Sequence, residues 1–564
     1  MKYSWDLKKL YMKIGDFYLD MTLIRDKIKV LCSHREIKID GNSLYELMSE
    51  CFFIREMNFK TLLYASLNYY LDINNDSNIK MKQQAEELDS FVGSETSFID
   101  ELLCVFEEDK LNLLYEENSK LLDYKFYIDT VRRNSKYFVS NNKIDNYNKL
   151  INNNLIKYNS LSKNLDFGDG INDSNIGLFL TSSDREIRNN YFHLLNNTYL
   201  SKKDDYFNIF KDIISSRKKI STEKNYSSVL ELELFKEDID SKYLDNLIKS
   251  VNDNINIMNR YLKIKCDYLS IENPRLYDIN LPIGSCNNKF NLENGIKIIK
   301  DIFKVFGDEY IEIVEELFKN NYLDLECNNK KHPSIVFSWN KYSFMNYKDR
   351  YIDLKNLIHE IGHIVNSYLS VEKQLFIYSD SSVFAGEVAS LVNEIMLNDY
   401  LYRNATNDED KIFYLSKLIE NFISQVYRQT MYTEFENIIY SKDELEISFV
   451  LESYLSLVKK YYGNVLEIDE VISSEWMRVG HLFRWSYYVY KYASGYVLAF
   501  NVIDKIKNNV DKYMNFLSSG CCCSNYDLFK ELDIDIYDID LFNNSFKMLN
   551  KYIDELDTLI KNKK

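Results

Sequence analysis

The fold is decided by the stretch DLKNLIHEIGHIVNSYL, residues 353–369. Its larger apolar side chains recur every three or four residues, which is the spacing of one face of an α-helix. These side chains are Leu354, Leu357, Ile358, Ile361, Val365 and Tyr368. We therefore predict a single amphipathic helix over this stretch, with Asp353 as its N-cap residue.

Two histidines of this helix carry the chemistry. His359 and His363 are four residues apart, so both imidazoles project from one face and can reach one zinc ion about 2 Å away. Glu360 then lies beside the ion, where its carboxylate can take a proton from a water that the ion makes acidic. The alternative is a pair of core histidines that share a face by chance. The chain has only six histidines, so this spacing would arise by chance on the order of once in a hundred such chains.

A hydrolytic zinc site needs a third protein ligand. The stretch SVFAGEVASLVNE, residues 382–394, has small residues at helical spacing, which would let this helix approach the histidine helix closely. Glu387 is the candidate ligand and Glu394, two turns further along, is its rival. Glu394 could instead accept the outer N–H of a ligand histidine, an interaction that most zinc-bound histidines make.

Together these segments resemble the oligoendopeptidase F branch of the thimet-oligopeptidase-like zinc metallopeptidases. The resemblance implies that His359, His363 and Glu387 bind one Zn²⁺ per chain and that Glu360 is the catalytic base. Further segments similar to the family are spread along nearly the whole chain. They are Trp5-Asp6-Leu7 with Leu10-Tyr11, Ser183–Arg188, Tyr513–Gly520 and Leu528–Asp533. The stretch 328–337 lacks the glycine-rich sequence that is usual for the family at this position.

The stretch HLFRWSYYVYKYASG, residues 481–495, is also similar to the family. The resemblance implies that His481, Tyr488 and Tyr492 face the scissile carbonyl and stabilise the oxyanion. Tyr490 is a rival whose facing the sequence leaves open. The chain contains 46 tyrosines, so without the resemblance these would be read as core or surface residues.

The chain is expected to be mainly α-helical, because three prolines and fifteen glycines are few for 564 residues. Apolar spacing over Asp245–Leu262 predicts one further helix, and Ser334–Tyr347 predicts short strands of a small β-sheet before the histidine helix. The resemblance implies a zincin-type metallopeptidase. Its helical N-terminal lobe, residues 1–200, would cover a catalytic lobe, residues 201–564, and enclose a substrate channel.

The composition indicates which partners the protein can bind and which cellular compartment it occupies. A net charge of −16 argues against nucleic acid. We find no secretory signal and no membrane-spanning stretch, and nine scattered cysteines suggest a reduced compartment, so we expect a cytoplasmic protein. The run Cys521–Cys523 shows no partner cluster for a metal, and its role stays open.

The sequence thus predicts a zinc metalloendopeptidase that hydrolyses internal bonds of short, unfolded oligopeptides. One alternative is a peptidyl-dipeptidase-like exopeptidase, which would need a group that recognises a free C-terminus. Another is a catalytically silent protein that binds zinc and peptides. Cleavage preference, physiological substrate and oligomeric state are not encoded in any pattern that we can read.

Overall fold

The computed structural model describes residues 3–35, 38–135, 142–168, 170–172, 175–326, 337–507 and 509–563. Helices make up most of this part of the chain, which confirms the predicted mainly α-helical class. None of these helices combines the length and the apolar character that crossing a bilayer requires. The stretch 328–337 that departs from the family lies, except for its last residue, outside the described residues.

In chain order, the helices are α1 (Ile14–Ser33), α2 (Gly41–Leu71), α3 (Asp76–Cys104), α4 (Glu108–Glu117), α5 (Lys125–Ser135), α6 (Asn142–Lys163), α7 (Ile176–Leu180), α8 (Arg185–Leu200), α9 (Lys203–Glu223), α10 (Val229–Lys236), α11 (Ser241–Asp253), α12 (Ile255–Tyr268), α13 (Leu292–Phe303), α14 (Asp308–Lys319), α15 (Tyr351–Lys373), α16 (Val383–Asn404), α17 (Asp408–Phe422), α18 (Gln429–Tyr440), α19 (Ile447–Tyr462), α20 (Gly480–Arg484), α21 (Tyr490–Ile506), α22 (Val510–Ser518), α23 (Asn525–Lys530) and α24 (Ile539–Lys563).

A small sheet precedes the histidine helix, as predicted. Its strands are β1 (Leu323–Asp324), β2 (Phe337–Trp339) and β3 (Tyr342–Phe344), in the order β1-β3-β2. Strand β3 pairs parallel with β1 and antiparallel with β2. Asn340, in the turn between β2 and β3, has a positive φ of 54°, which asparagine tolerates better than most residues. Residues 334–336 of the predicted strand region lie outside the described part.

The chain divides into two compact units, each made of three segments. The first comprises Met1–Phe138, Asn288–Ser382 and Asn509–Ser524, and the second comprises Val139–Asn287, Val383–Asn508 and Asn525–Lys564. Helix α15 belongs to the first unit, and α16, α20 and α21 belong to the second. These units are defined by their internal contacts, whereas the predicted lobes 1–200 and 201–564 are defined by function. The division into functional lobes therefore stays a prediction.

Helix α15 is buried along the predicted apolar face. Leu354, Leu357, Ile361 and Val365 are fully buried. Asp353 is not the N-cap, because the helix begins at Tyr351 and Arg350 is the N-cap residue. The Asp353 carboxylate lies three positions after the cap and accepts the backbone N–H of Arg350 at 3.0 Å. Asp353 is thus the second residue of a capping box and not the N-cap itself. The sequence spacing alone did not distinguish these two positions.

The predicted single helix over Asp245–Leu262 is also corrected. Asn254 separates α11 from α12, and its side chain donates to the Ser250 carbonyl oxygen at 2.8 Å. Asparagine offers the backbone a local hydrogen bond that competes with helix continuation. The apolar spacing continues across the break because both helices bury apolar side chains, such as Val251 in α11 and Met258 in α12.

Gly520 follows α22 in a backbone conformation that favours glycine, with φ of +55°. A Cβ at this position would lie 1.9 Å from the Tyr378 carbonyl oxygen. The same oxygen accepts the backbone N–H of Cys521 at 3.0 Å. The turn therefore brings two backbone segments together where no side chain fits.

We expect Gly520→Ala to lower the stability of the first unit by about 2 kcal/mol or more, because the clash is with backbone and the positive φ adds strain. Thermal unfolding followed by circular dichroism measures this effect. The matched control is Gly93→Ala, an exposed position in α3 with no atom within 4 Å of the added Cβ. That change should leave the melting temperature equal or higher, and equal melting temperatures for both variants would contradict the packing argument.

Candidate active site

The two histidines of α15 face each other across one helical turn. Their Nε2 atoms are 3.1 Å apart and their rings are half-buried. Two imidazole nitrogens on one tetrahedral zinc, bound at about 2.0–2.1 Å, lie roughly 3.3 Å apart. The observed separation therefore suits a shared metal ion.

A carboxylate oxygen of Glu387 belongs to the same group of possible metal ligands. His359, His363 and Glu387 each offer one ligand atom, and these atoms all lie within 4.8 Å of one another. Two nitrogens and one carboxylate oxygen are a donor set that catalytic zinc sites use, with one position left for water or substrate. The chain thus contains a His/Glu group that could hold a metal ion.

Two further carboxylates lie on the same two helices. Glu360, which follows the first histidine on α15, is only 6% exposed. Glu394, two turns after Glu387 on α16, is 7% exposed. Both roles predicted for these acids, as base and as acceptor from a histidine N–H, stay predictions.

Helix α16 holds Glu387 against α21. The Ser390 hydroxyl donates to the Glu387 backbone carbonyl at 2.8 Å, and it lies 3.4 Å from the carboxylate oxygen Oε2. A Cβ on Gly495 of α21 would lie 3.0 Å from Leu391 and 3.4 Å from Glu387 Cβ. Glycine at this position therefore permits the close approach of the two helices.

His481 lies in α20, in contact with two of the tyrosines predicted to act with it. Its Nε2 is 3.2 Å from the Tyr492 hydroxyl. Its ring stacks on Tyr488, with centroids 5.9 Å apart and planes at 18°. The negative charge of Glu387 raises the pKa of both tyrosines, after the larger effect of burial on each. These three residues therefore form one cluster near the Glu387 carboxylate.

The protonation states suit hydrogen-bond donation. Burial, followed by the positive charge of Arg484, lowers the pKa of His481, which favours the neutral imidazole. The raised pKa values of Tyr488 and Tyr492 keep both hydroxyls protonated at neutral pH. Neutral imidazole and phenol can each donate one hydrogen bond to a developing oxyanion.

Tyr490, the rival of these tyrosines, lies elsewhere. Its side chain is fully buried, and its hydroxyl forms no hydrogen bond within the described part of the chain. Burial raises its pKa well above the ordinary value. The environment of Tyr490 is thus that of a core residue.

Two buried ionisable residues hold the segment between His481 and Tyr492. Arg217 of α9 donates to the carbonyl oxygens of Leu482 at 3.3 Å and Phe483 at 2.7 Å. Glu436 of α18 accepts the backbone N–H of Tyr487 at 2.7 Å. Tyr487 has a positive φ of 47°, a conformation that is costly for a tyrosine. These contacts fix the turn that separates His481 from the two tyrosines.

Sequence reasoning missed Arg217 and Glu436. Each is a single ionisable residue in a helix, and each contacts backbone groups that lie far away along the chain. No spacing rule connects such residues to a distant turn. Only burial in the folded chain distinguishes them from the many charged residues on helix surfaces.

Comparison with known proteins identifies a family whose sequences resemble most of this chain. The model for peptidase family M3 matches residues 178–548. A relative from Bacillus subtilis (strain 168), named Oligopeptidase PepF, is 26% identical over 99% of this chain and 87% of its own. The Oligoendopeptidase F homolog of Borreliella burgdorferi is 29% identical over 92% of this chain and 91% of its own.

Solved structures share the fold. A crystal structure of a putative peptidase from Chlamydophila abortus superposes with a TM-score of 0.87 at 24% identity, covering 99% of this chain and 98% of that one. The oligoendopeptidase-F structure from Enterococcus faecium gives a TM-score of 0.73 at 21% identity, covering 97% and 99%.

The fold is helical, and the family whose model matches is a peptidase family. The family model spans well over half of the sequence, and the chain belongs to peptidase family M3. This confirms the resemblance drawn from the sequence motifs.

Glu436 makes stability depend on pH. Burial raises the pKa of its carboxyl from 4.5 to about 8, so the folded state holds this proton more tightly than the unfolded state does. The resulting stabilisation is present below pH 4.5 and is lost as the pH rises towards 8. Between about pH 5.5 and 8, Glu436→Gln should lose roughly 3 kcal/mol less stability than the wild type. Denaturant unfolding at each pH measures this difference.

Glutamine keeps the oxygen that accepts the Tyr487 N–H, so the variant should fold. The control is Glu452→Gln, a position on α19 away from the Tyr487 turn, which should follow the wild-type pH profile. Parallel profiles for wild type and Glu436→Gln would show that this carboxyl is not the titrating group.

Proposed function

We propose that this chain is a zinc metalloendopeptidase of the cytoplasm that hydrolyses internal peptide bonds of short, unfolded oligopeptides. The observation that carries the proposal is the His/Glu group in a member of a peptidase family: His359, His363 and Glu387 present their ligand atoms within 4.8 Å of one another. The names of the relatives, oligopeptidase and oligoendopeptidase, support short peptides as substrates.

In this proposal His359, His363 and Glu387 hold the metal. A bound zinc would supply a water of lowered pKa and would polarise the peptide carbonyl. Glu360 takes the proton from the attacking water and passes it to the leaving amine nitrogen. Its burial and its position directly after His359 on α15 support this role. No acyl-enzyme forms.

His481, Tyr488 and Tyr492 are the proposed donors to the oxyanion. Their mutual contacts and the influence of Glu387 on the two tyrosines support this assignment. Donors that are fixed before the reaction stabilise the developing charge without reorganising. The segment that carries them is fixed by Arg217 and Glu436.

Purified protein should be incubated with peptides of increasing length, free and blocked at both ends, with products identified by mass spectrometry. Internal cleavage of blocked peptides that is lost with a chelator and restored by zinc supports the endopeptidase. Cleavage restricted to free C-termini favours the peptidyl-dipeptidase-like alternative. Zinc binding without any cleavage favours the catalytically silent protein.

Glu360→Gln should abolish turnover while one zinc per chain remains bound, because the amide cannot accept the water's proton and the ligands are untouched. Peptide cleavage rates and zinc content by mass spectrometry measure both parts. His359→Ala is the companion variant and should lose the metal. Normal turnover by Glu360→Gln would remove this residue from the mechanism.

Tyr492→Phe should lower kcat about 10²- to 10³-fold with little change in KM, because it removes a donor that matters mainly in the transition state. Steady-state kinetics on one blocked peptide measures the effect. Tyr490→Phe is the matched control, since it deletes a nearby hydroxyl that makes no hydrogen bond within the described residues. Similar losses in both variants would point to a structural role for this helix.

A further inference from the structure

The second unit contains a cavity beside the His481 cluster. Its volume is about 460 Å³, within the range of about 300–1,000 Å³ that small-ligand sites occupy. Tyr488 and the half-exposed Trp485 form part of its wall. The cavity therefore shares a tyrosine with the proposed oxyanion donors.

The acidic side chains of the cavity are already engaged. Glu233 accepts hydrogen bonds from Lys236, at 2.9 Å, and from the Ser486 hydroxyl, at 2.9 Å. Glu237 forms an ion pair with Lys491. Each of these two carboxylates thus has a lysine that balances its charge.

Two of the cations in the wall, Lys224 and Arg484, form no ion pair within the described residues. The Lys224 ammonium group forms no hydrogen bond or ion pair within the described part of the chain, although the residue is half-buried. The Arg484 guanidinium donates to the neutral side-chain oxygen of Asn159 at 2.9 Å and lies 5.9 Å from the centre of the Tyr158 ring. Burial, followed by the nearby charge of Lys236, lowers the pKa of Lys224, and the charge of Glu233, which is paired with Lys236, offsets only part of this effect.

The surplus positive charge stands out because the chain as a whole carries a net charge of −16. The general field repels large polyanions, whereas a single carboxylate on a short peptide meets mainly the local charge. A lysine ammonium binds such a carboxylate by a charge-assisted hydrogen bond.

We propose that this cavity is a substrate subsite in which Lys224 binds a carboxylate of the peptide. The proposal rests on the proposed peptidase function and adds to it a preference for peptides that carry a carboxylate on one side of the cleaved bond. The carboxylate is either the free C-terminus or an Asp or Glu side chain, which offer Lys224 the same chemistry.

The test compares three versions of one cleavable peptide without other acidic residues: a free C-terminal acid, a C-terminal amide, and the amide with one Gln replaced by Glu. Lys224→Gln should raise KM about tenfold or more for the peptide whose carboxylate reaches the cavity. It should leave kcat and the KM of the uncharged amide unchanged. Which acidic version responds identifies the source of the carboxylate.

Lys211→Gln is the matched control, because it removes an exposed lysine from α9, the helix that ends directly before Lys224, and Lys211 does not line the cavity. Lys224→Arg should restore most of the affinity. Equal KM changes for all three peptides, or no change for any, would overturn the subsite.

Binding of fluorescently labelled peptides, measured by anisotropy, separates this proposal from the peptidase function. If the wild type cleaves no peptide, the proposed peptidase function is wrong. The binding measurement still tests the proposed subsite in that case. Weaker binding of only the acidic peptides by Lys224→Gln would support it, and equal binding by wild type and variant would overturn it.

Discussion

Two imidazoles on adjacent turns of one buried helix set the geometry on which the proposed chemistry depends. With their Nε2 atoms 3.1 Å apart, His359 and His363 can share one metal ion if the helix keeps its pitch, whereas a roll of the whole helix would turn both imidazoles in a new direction together. The fully buried aliphatic face, including Leu357 and Ile361, prevents such a roll, because any rotation would expose it to water. The helical pitch sets Glu360 about 100° around the helix axis from His359, adjacent to the pair but not part of it.

The third proposed ligand is fixed by packing of a different kind. Helix α21 approaches α16 closely at Gly495, and this contact holds Glu387 near His481, Tyr488 and Tyr492. The connection between α20 and α21 passes through Tyr487, whose positive φ costs on the order of 1 kcal/mol or more. The hydrogen bond to buried Glu436 stabilises this conformation. Strain is thus tolerated in the turn directly before Tyr488 and Tyr492, two of the proposed oxyanion donors.

Sequence patterns predicted those features of the fold that depend on residues close together in the chain. The histidine helix, the small sheet and the helical class follow from spacing and composition, and the family motifs pointed to Glu387. The N-cap assignment of Asp353 was wrong because an acid at the third helical position produces the same sequence pattern as a cap. The break at Asn254 was missed because apolar spacing continues across it. Arg217, Glu436 and Lys224 could not be found, since their significance comes from burial and from distant partners.

The most direct test of the central claim is the location of the metal. Crystals of the zinc-loaded protein, measured on both sides of the zinc absorption edge, give an anomalous difference map that shows the ion independently of any assumed ligand. We expect one peak bound by His359, His363 and Glu387, with a position left for a non-protein ligand. A peak at other residues, or an ion enclosed by four protein ligands, would contradict the proposed site.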